Sequence, residues 1–142
     1  MSRWQGRDVP RNYPGPGADL TVMFNDLDPN NHLNNVAIGR FFEHARVTSN
    51  QGDGLWEALR PGHLIVARVA IDYLTEGRIG PLHVRTRLAS LGRTSYRMEQ
   101  AAWQPQGDGT VCLGLAEVTL VHLRDGRPAP LTDAFRDVAS RL

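Results

Sequence analysis

The spacing of apolar positions along the chain switches from strand-like to helical, returns to strand-like for a long central stretch, and ends helical. Residues 19–25 are short, apolar and partly β-branched, and predict a first strand. From Asn35 to about Gln51, the apolar Ile38, Phe41, Phe42 and Ala45 recur at helical spacing. Arg40, Glu43 and Arg46 are interleaved among them and read as a solvated ion-pair ladder. Gly39 costs helix propensity and suggests close approach of another backbone. Gly52, Gly54, Pro61 and Gly62 then break the pattern.

Residues 63–75 carry Leu64, Ile65, Val66, Val69, Ile71 and Tyr73 with few breaks, the pattern of a well-buried strand. Residues 82–91 alternate, with Val84, Thr86 and Leu88 opposite Arg85 and Arg87. Gly92 and Arg93 make a turn, residues 94–103 run back, and Gly107-Asp108-Gly109 signals a hairpin. Residues 110–124 are long and apolar, and Asp125-Gly126 ends them. Leu131, Phe135, Val138 and Leu142 have amphipathic helix spacing, with Thr132 or Asp133 at the N-cap. The predicted class is α+β, with one long helix covering one face of an antiparallel sheet. The other face of so apolar a sheet needs its own cover, which points to a homo-oligomer.

At 142 residues the chain fits one domain, residues 19–142, after a leader of residues 1–18 that is polar and rich in Gly and Pro. That leader is no signal peptide and reads as flexible. Nearly balanced charge gives no support to a nucleic-acid partner. All 16 basic side chains are arginine, which removes lysine Schiff-base chemistry and the phosphate-loop lysine. A single Cys112, inside an apolar strand, excludes an intrachain disulfide and reads as a small hydrophobe. No apolar run approaches a membrane span, so the expectation is a soluble cytoplasmic protein.

The chemistry concentrates in residues 24–35, Phe-Asn-Asp-Leu-Asp-Pro-Asn-Asn-His-Leu-Asn-Asn, just before the long helix. A helix start offers unpaired N–H groups and the positive end of the macrodipole. Asp28 is placed to act as general base toward water or as nucleophile toward an acyl carbon. The amides around Asn34 and Asn35 are placed to receive a carbonyl oxygen. Asp and Asn in such turns also bond their own backbone, and the residues alone leave both readings open. Asp26 reads as such a turn residue, Asn34 or Asn35 as the N-cap, and His32 as a hydrogen-bonding partner of Asp28 or water. Calcium is excluded by spacing, since an EF-hand loop needs Gly where Asn31 stands and Glu where Ala37 stands. No Gly-x-Ser-x-Gly elbow occurs, and the five histidines lack metal-ligand spacing.

Residues 24–35, with Arg40-Phe-Phe-Glu-His-Ala-Arg46, resemble the 4-hydroxybenzoyl-CoA thioesterase branch of the hotdog-fold acyl-CoA thioesterases. The likeness continues through residues 66–74 and 91–96 and covers about residues 19 to 131. It implies a long central helix wrapped by a curved five-stranded antiparallel sheet, dimers or tetramers with a continuous sheet, and active sites at the dimer interface. It also implies hydrolysis of an acyl-CoA to free acid and CoA, without metal or cofactor. Asp28 would be nucleophile or general base, and backbone N–H groups near Asn35 would polarise the carbonyl. Many relatives carry Gly where this chain has Asn31, a residue that tolerates the left-handed conformation. For the CoA phosphates the resemblance points to Arg93, Thr94 and Ser95 at a strand turn. Two other uses of the same fold stay open: hydrolysis of a carrier-protein thioester, and non-catalytic acyl-CoA or lipid binding.

Overall fold

A computed structural model describes residues 17–142. The elements are β1 (Gly17–Val22), α1 (Asn35–Gly52), β2 (His63–Tyr73), β3 (Gly80–Leu91), β4 (Ser95–Gln106), β5 (Gly109–Arg124), β6 (Arg127–Pro128) and α2 (Asp133–Ser140). Five long strands form one antiparallel sheet in the order β1-β3-β4-β5-β2, and the two-residue β6 adds to β5. This is the predicted α+β architecture of a helix wrapped by a curved sheet.

Helix α1 starts at Asn34, whose side chain accepts the Val36 N–H at 2.8 Å. Ala37, Ile38, Phe42 and Ala45 face the sheet and join Val22, Leu82, Val84 and Leu113 in the main core. Gly114 of β5 makes this packing close: a Cβ there would lie 3.4 Å from Ile38 and 3.0 Å from the Asp72 carbonyl oxygen. Gly39 instead sits under the Ile71 side chain, 4.0 Å from where its Cβ would be, and meets no foreign backbone.

A second core lies at the other end of α1. There Leu55 and Leu59 meet Tyr96, Met98 and Leu131, and α2 adds Phe135. The N-cap of α2 is Thr132, whose hydroxyl accepts from Phe135 N at 3.0 Å and donates to the Ala58 carbonyl at 2.6 Å.

Three further expectations change. The first strand occupies Gly17–Val22, so it starts inside the stretch assigned to the leader and stops before Asn25. Its stop has a cause: Asp26 Oδ2 captures the Met23 N–H at 2.8 Å and winds residues 24–26 into a 3-10 turn. The rest of the leader lies outside the described residues. Strand β2 is an edge strand rather than a well-buried one, leaving Ile65, Val66, Val69 and Tyr73 exposed. The ion-pair ladder on α1 does not form. Arg40 pairs with Asp26 at 2.9 Å, while Arg46 turns inward, 6% exposed, and donates to Gln100 Oε1 at 3.3 Å. Burial lowers the pKa of Arg46 from its ordinary value, and the nearby Glu43 charge opposes that shift.

Candidate active site

The segment between β1 and α1 closes on itself through its backbone. Asp28 N–H donates to the His32 carbonyl at 2.8 Å, and Asn31 N–H donates to the Asp28 carbonyl at 3.0 Å. Asn31 takes a φ of 61°, the left-handed conformation that Asn tolerates where many residues would not. Leu27 and Leu33 pair as an isolated bridge, and Asn34 N–H reaches back to the Asp26 carbonyl at 2.8 Å.

The half-buried Asp28 carboxylate is held by one oxygen only. Its Oδ1 accepts the N–H groups of Asn30 at 2.9 Å and His32 at 3.1 Å. Among the described residues nothing donates to Oδ2. The turn role and the chemical role are therefore compatible, because each uses a different oxygen. One residue past the N-cap, the Asn35 N–H has no acceptor among the described residues, as expected for a first-turn amide.

Asp28, His32 and Asn35 form one side of a cavity of about 220 Å³. Tyr73 and residues 74–77 of the β2–β3 loop form the other, and Leu33, Ile38 and Leu113 form an apolar floor. The His32 ring nitrogen Nε2 lies 3.1 Å from Glu76 Oε2 on that loop. A carboxylate oxygen, an unpaired helix-start amide and an apolar floor around one small space suit attack on an acyl carbon whose oxygen takes the amide.

The structure thus brings Asp28, His32 and Asn35 to one cavity, while Asn34 lies outside its lining and caps α1. Arg93, Thr94 and Ser95 lie elsewhere: Ser95 pairs with Val121, whereas the site end of β5 is Gly114, opposite Ala102. Seven residues of β4 separate the two levels, roughly 23 Å at strand rise. Within one chain the turn bearing Arg93 is bound to the C-terminal segment, its carbonyl accepting from Leu131 N–H at 2.8 Å.

Sequence reasoning missed the far wall of the cavity. Glu76 and Gly77 fall in a loop without periodicity, and Gln104 in β4 looks like a surface amide. The available signal for Gln104 was its parity with Met98, Gln100 and Ala102, all on the helix-facing side of β4. Cys112 packs on Ala101 and Leu115, and burial pushes its thiol up to about 11, which disfavours the thiolate. Among the described residues no group of three or more His, Cys, Asp or Glu side chains is placed to hold a metal ion. No helix there is long and apolar enough to cross a membrane.

Comparison with known proteins gives the context. The model of the thioesterase-like superfamily matches residues 22–138. No curated protein matches the chain. Among solved structures, a Thermus thermophilus thioesterase complexed with coenzyme A and Zn is 35% identical, over 88% of this chain and 92% of that one, with a TM-score of 0.75. A thioesterase-superfamily protein from a Jannaschia species is 28% identical, over 87% of this chain and 79% of that one, with a TM-score of 0.76. A 1,4-dihydroxy-2-naphthoyl-CoA thioesterase from Synechocystis shares the fold, with 15% identity over 89% of this chain and 96% of that one, at a TM-score of 0.74. The family match spans most of the chain and the same curled sheet recurs around a long helix in these structures: the chain belongs to the thioesterase-like superfamily and has its hotdog fold.

Proposed function

We propose that this protein hydrolyses an acyl-CoA thioester to the free acid and CoA, with Asp28 as the central carboxylate. The observation that carries the reading is the split use of Asp28: Oδ1 is fixed by two backbone N–H groups, while Oδ2 is left over beside the open start of α1. The carbonyl oxygen of the thioester would take the Asn35 N–H, where the helix dipole favours the developing negative charge. Asp28 then either removes a proton from an attacking water or attacks the carbon itself and is released by water. Both routes consume one water and yield one acid and one thiol, using the chain's own groups. A Thermus relative bound to coenzyme A supports CoA as the carrier of the acyl group.

The reading includes a homodimer joined along β2. The free edge of β2 and its exposed Ile65, Val66, Val69 and Tyr73 support it, because long apolar edges need covering. Antiparallel pairing of two β2 strands would set the far end of one sheet beside the Tyr73 end of the other. It would close the cavity at Tyr73 and carry the partner's strand turn at Arg93 to Ser95 toward the site, where an arginine fork suits CoA phosphates.

The test is thiol release from short, medium, long and aromatic acyl-CoAs, with Asp28→Asn beside the wild type. Turnover that vanishes in the variant supports the reading. Wild-type rates in Asp28→Asn would overturn the role of Asp28. Release from carrier-bound esters alone would replace CoA by a carrier protein, and saturable binding without product would make the protein a ligand binder.

A further inference from the structure

The loop opposite Asp28 has no helical or strand ladder of its own, yet it is tied down at successive residues. Gln104, 2% exposed, grips both backbone polar groups of Arg78: its Oε1 accepts the Arg78 N–H at 2.8 Å and its Nε2 donates to the Arg78 carbonyl at 2.7 Å. Gln106 Nε2 donates to the Glu76 carbonyl at 2.9 Å and to Gln104 Oε1 at 3.1 Å. Between these two grips, the Gly77 carbonyl accepts the Leu33 N–H at 2.8 Å. Gly77 is pressed onto the motif turn so closely that a Cβ would lie 2.8 Å from Leu33 Cβ and 3.0 Å from Leu113 Cδ1.

We propose that Gln104 is a positioning residue for the thioester site, fixing the loop that in turn fixes the Asp28 turn and the start of α1. This rests on the reading of Asp28 as the central carboxylate. The connection is short and continuous: Gln104 to the Arg78 peptide, the adjacent Gly77 carbonyl to Leu33 N–H, and two residues on, the open N–H of Asn35. The same loop carries Glu76 to His32, whose own N–H holds Asp28 Oδ1. A side chain that satisfies both backbone polar groups of one residue from a buried position has little freedom. It therefore sets where the loop stands as well as stabilising it. Misplacing a carboxylate or an oxyanion donor by about 1 Å can cost on the order of a hundredfold in rate.

The test compares Gln104→Leu, Gln104→Glu and Gln106→Ala with wild type, assaying thiol release well below each unfolding temperature. Gln104→Leu is expected to lower kcat about tenfold or more, with KM changed by less than about threefold. Gln104→Glu keeps the acceptor for Arg78 N–H and loses the donor to its carbonyl, so an intermediate kcat is expected. Gln106→Ala removes the grip on the Glu76 carbonyl and one donor to Gln104 Oε1 but leaves both Gln104–Arg78 bonds, so it should change kcat least. Hydrogen exchange adds a readout that general destabilisation would not move: the Leu33 amide should exchange faster in Gln104→Leu while β5 amides keep their protection. A folded Gln104→Leu protein with wild-type kcat overturns the proposal, as does the same result for Gln104→Glu if the leucine variant fails to fold. Failure of the Asp28 reading shows separately, as turnover retained in Asp28→Asn.

Discussion

The two ends of α1 are held by different forces. At its C-terminal end, Leu55, Leu59, Tyr96 and Phe135 are almost wholly removed from water, and the Tyr96 and Phe135 rings lie 4.9 Å apart. At its N-terminal end, Met23, Phe24 and Val36 stay exposed, and the turn is held by hydrogen bonds among its own backbone, Asp26 and Asp28, and by Leu33 N–H to the Gly77 carbonyl of the loop that Gln104 grips. Apolar burial is non-directional and scales with area, so the sealed end supplies stability. A hydrogen bond adds only about 0.5–1.5 kcal/mol net, but it fixes direction, so the open end supplies geometry. An open mouth with a defined carboxylate needs the second kind of force.

The sharpest break of this comparison is a crossed pair of variants. Asp28→Asn keeps an oxygen for the Asn30 and His32 N–H groups, so the turn survives, while kcat should fall by roughly 10²–10⁴-fold. Phe135→Ala should do the opposite, costing about 3–5 kcal/mol of stability with kcat per folded molecule retained. Thiol release and denaturant unfolding on both proteins check it. A Phe135→Ala enzyme that is folded but as slow as Asp28→Asn would mean the ends are not separable.

Legibility in the sequence follows the same division. The sealed end is built from periodicity and could be read: Leu131, Phe135 and Val138 announce α2, and Thr132 its cap. The hairpin at Gly107-Asp108 and the polar–apolar alternation of β3 were equally plain. The motif turn stood out as a candidate for chemistry because its residue types are unusual, although which Asp oxygen is held by the backbone and which is left over is a matter of geometry. Residues that act at a distance were not legible. Arg46 looked like one rung of a ladder, because nothing local shows that Gln100, far along the chain, waits to receive it. Gln104 was hidden for the same reason, its partner being a loop backbone 26 positions earlier. The burial of β2 was misjudged because a continuous apolar run shows that a strand will be covered, and leaves open whether the cover comes from its own chain.

Cap deletions at the two ends sharpen the contrast at a smaller scale. Thr132→Ala removes the acceptor for Phe135 N–H and the donor to the Ala58 carbonyl, and should cost about 1–2 kcal/mol without changing kcat. Asn34→Ala removes the acceptor for Val36 N–H, with a similar or smaller stability cost of about 1 kcal/mol. It should also lower kcat, because the Asn35 N–H stands next to the cap. Paired unfolding and thiol-release measurements decide whether that asymmetry exists. Equal effects on kcat from both caps would remove it.

Alkaline titration gives the smallest effect and reaches both ends at once. Burial raises the Cys112 thiol from 9.0 to about 11, near the site end of β5, and raises the Tyr96 hydroxyl still further at the sealed end. In each case the folded pKa lies above the unfolded one, so between the two values the unfolded chain releases a proton that the folded chain retains. The stability from these groups is therefore complete below pH 9 and declines as pH rises, first through Cys112 between about 9 and 11, then through Tyr96 from about 10 upward. Unfolding temperatures measured from pH 8 to 11 should fall in wild type. Cys112→Ala should flatten the early part of the fall, and Tyr96→Phe the later part. Up to pH 11 the open end should respond more, since Cys112 loses its contribution across two pH units of that range and Tyr96 across only the last one. A Tyr96→Phe curve flatter throughout than that of Cys112→Ala would reverse the ranking and place the greater alkaline sensitivity at the sealed end.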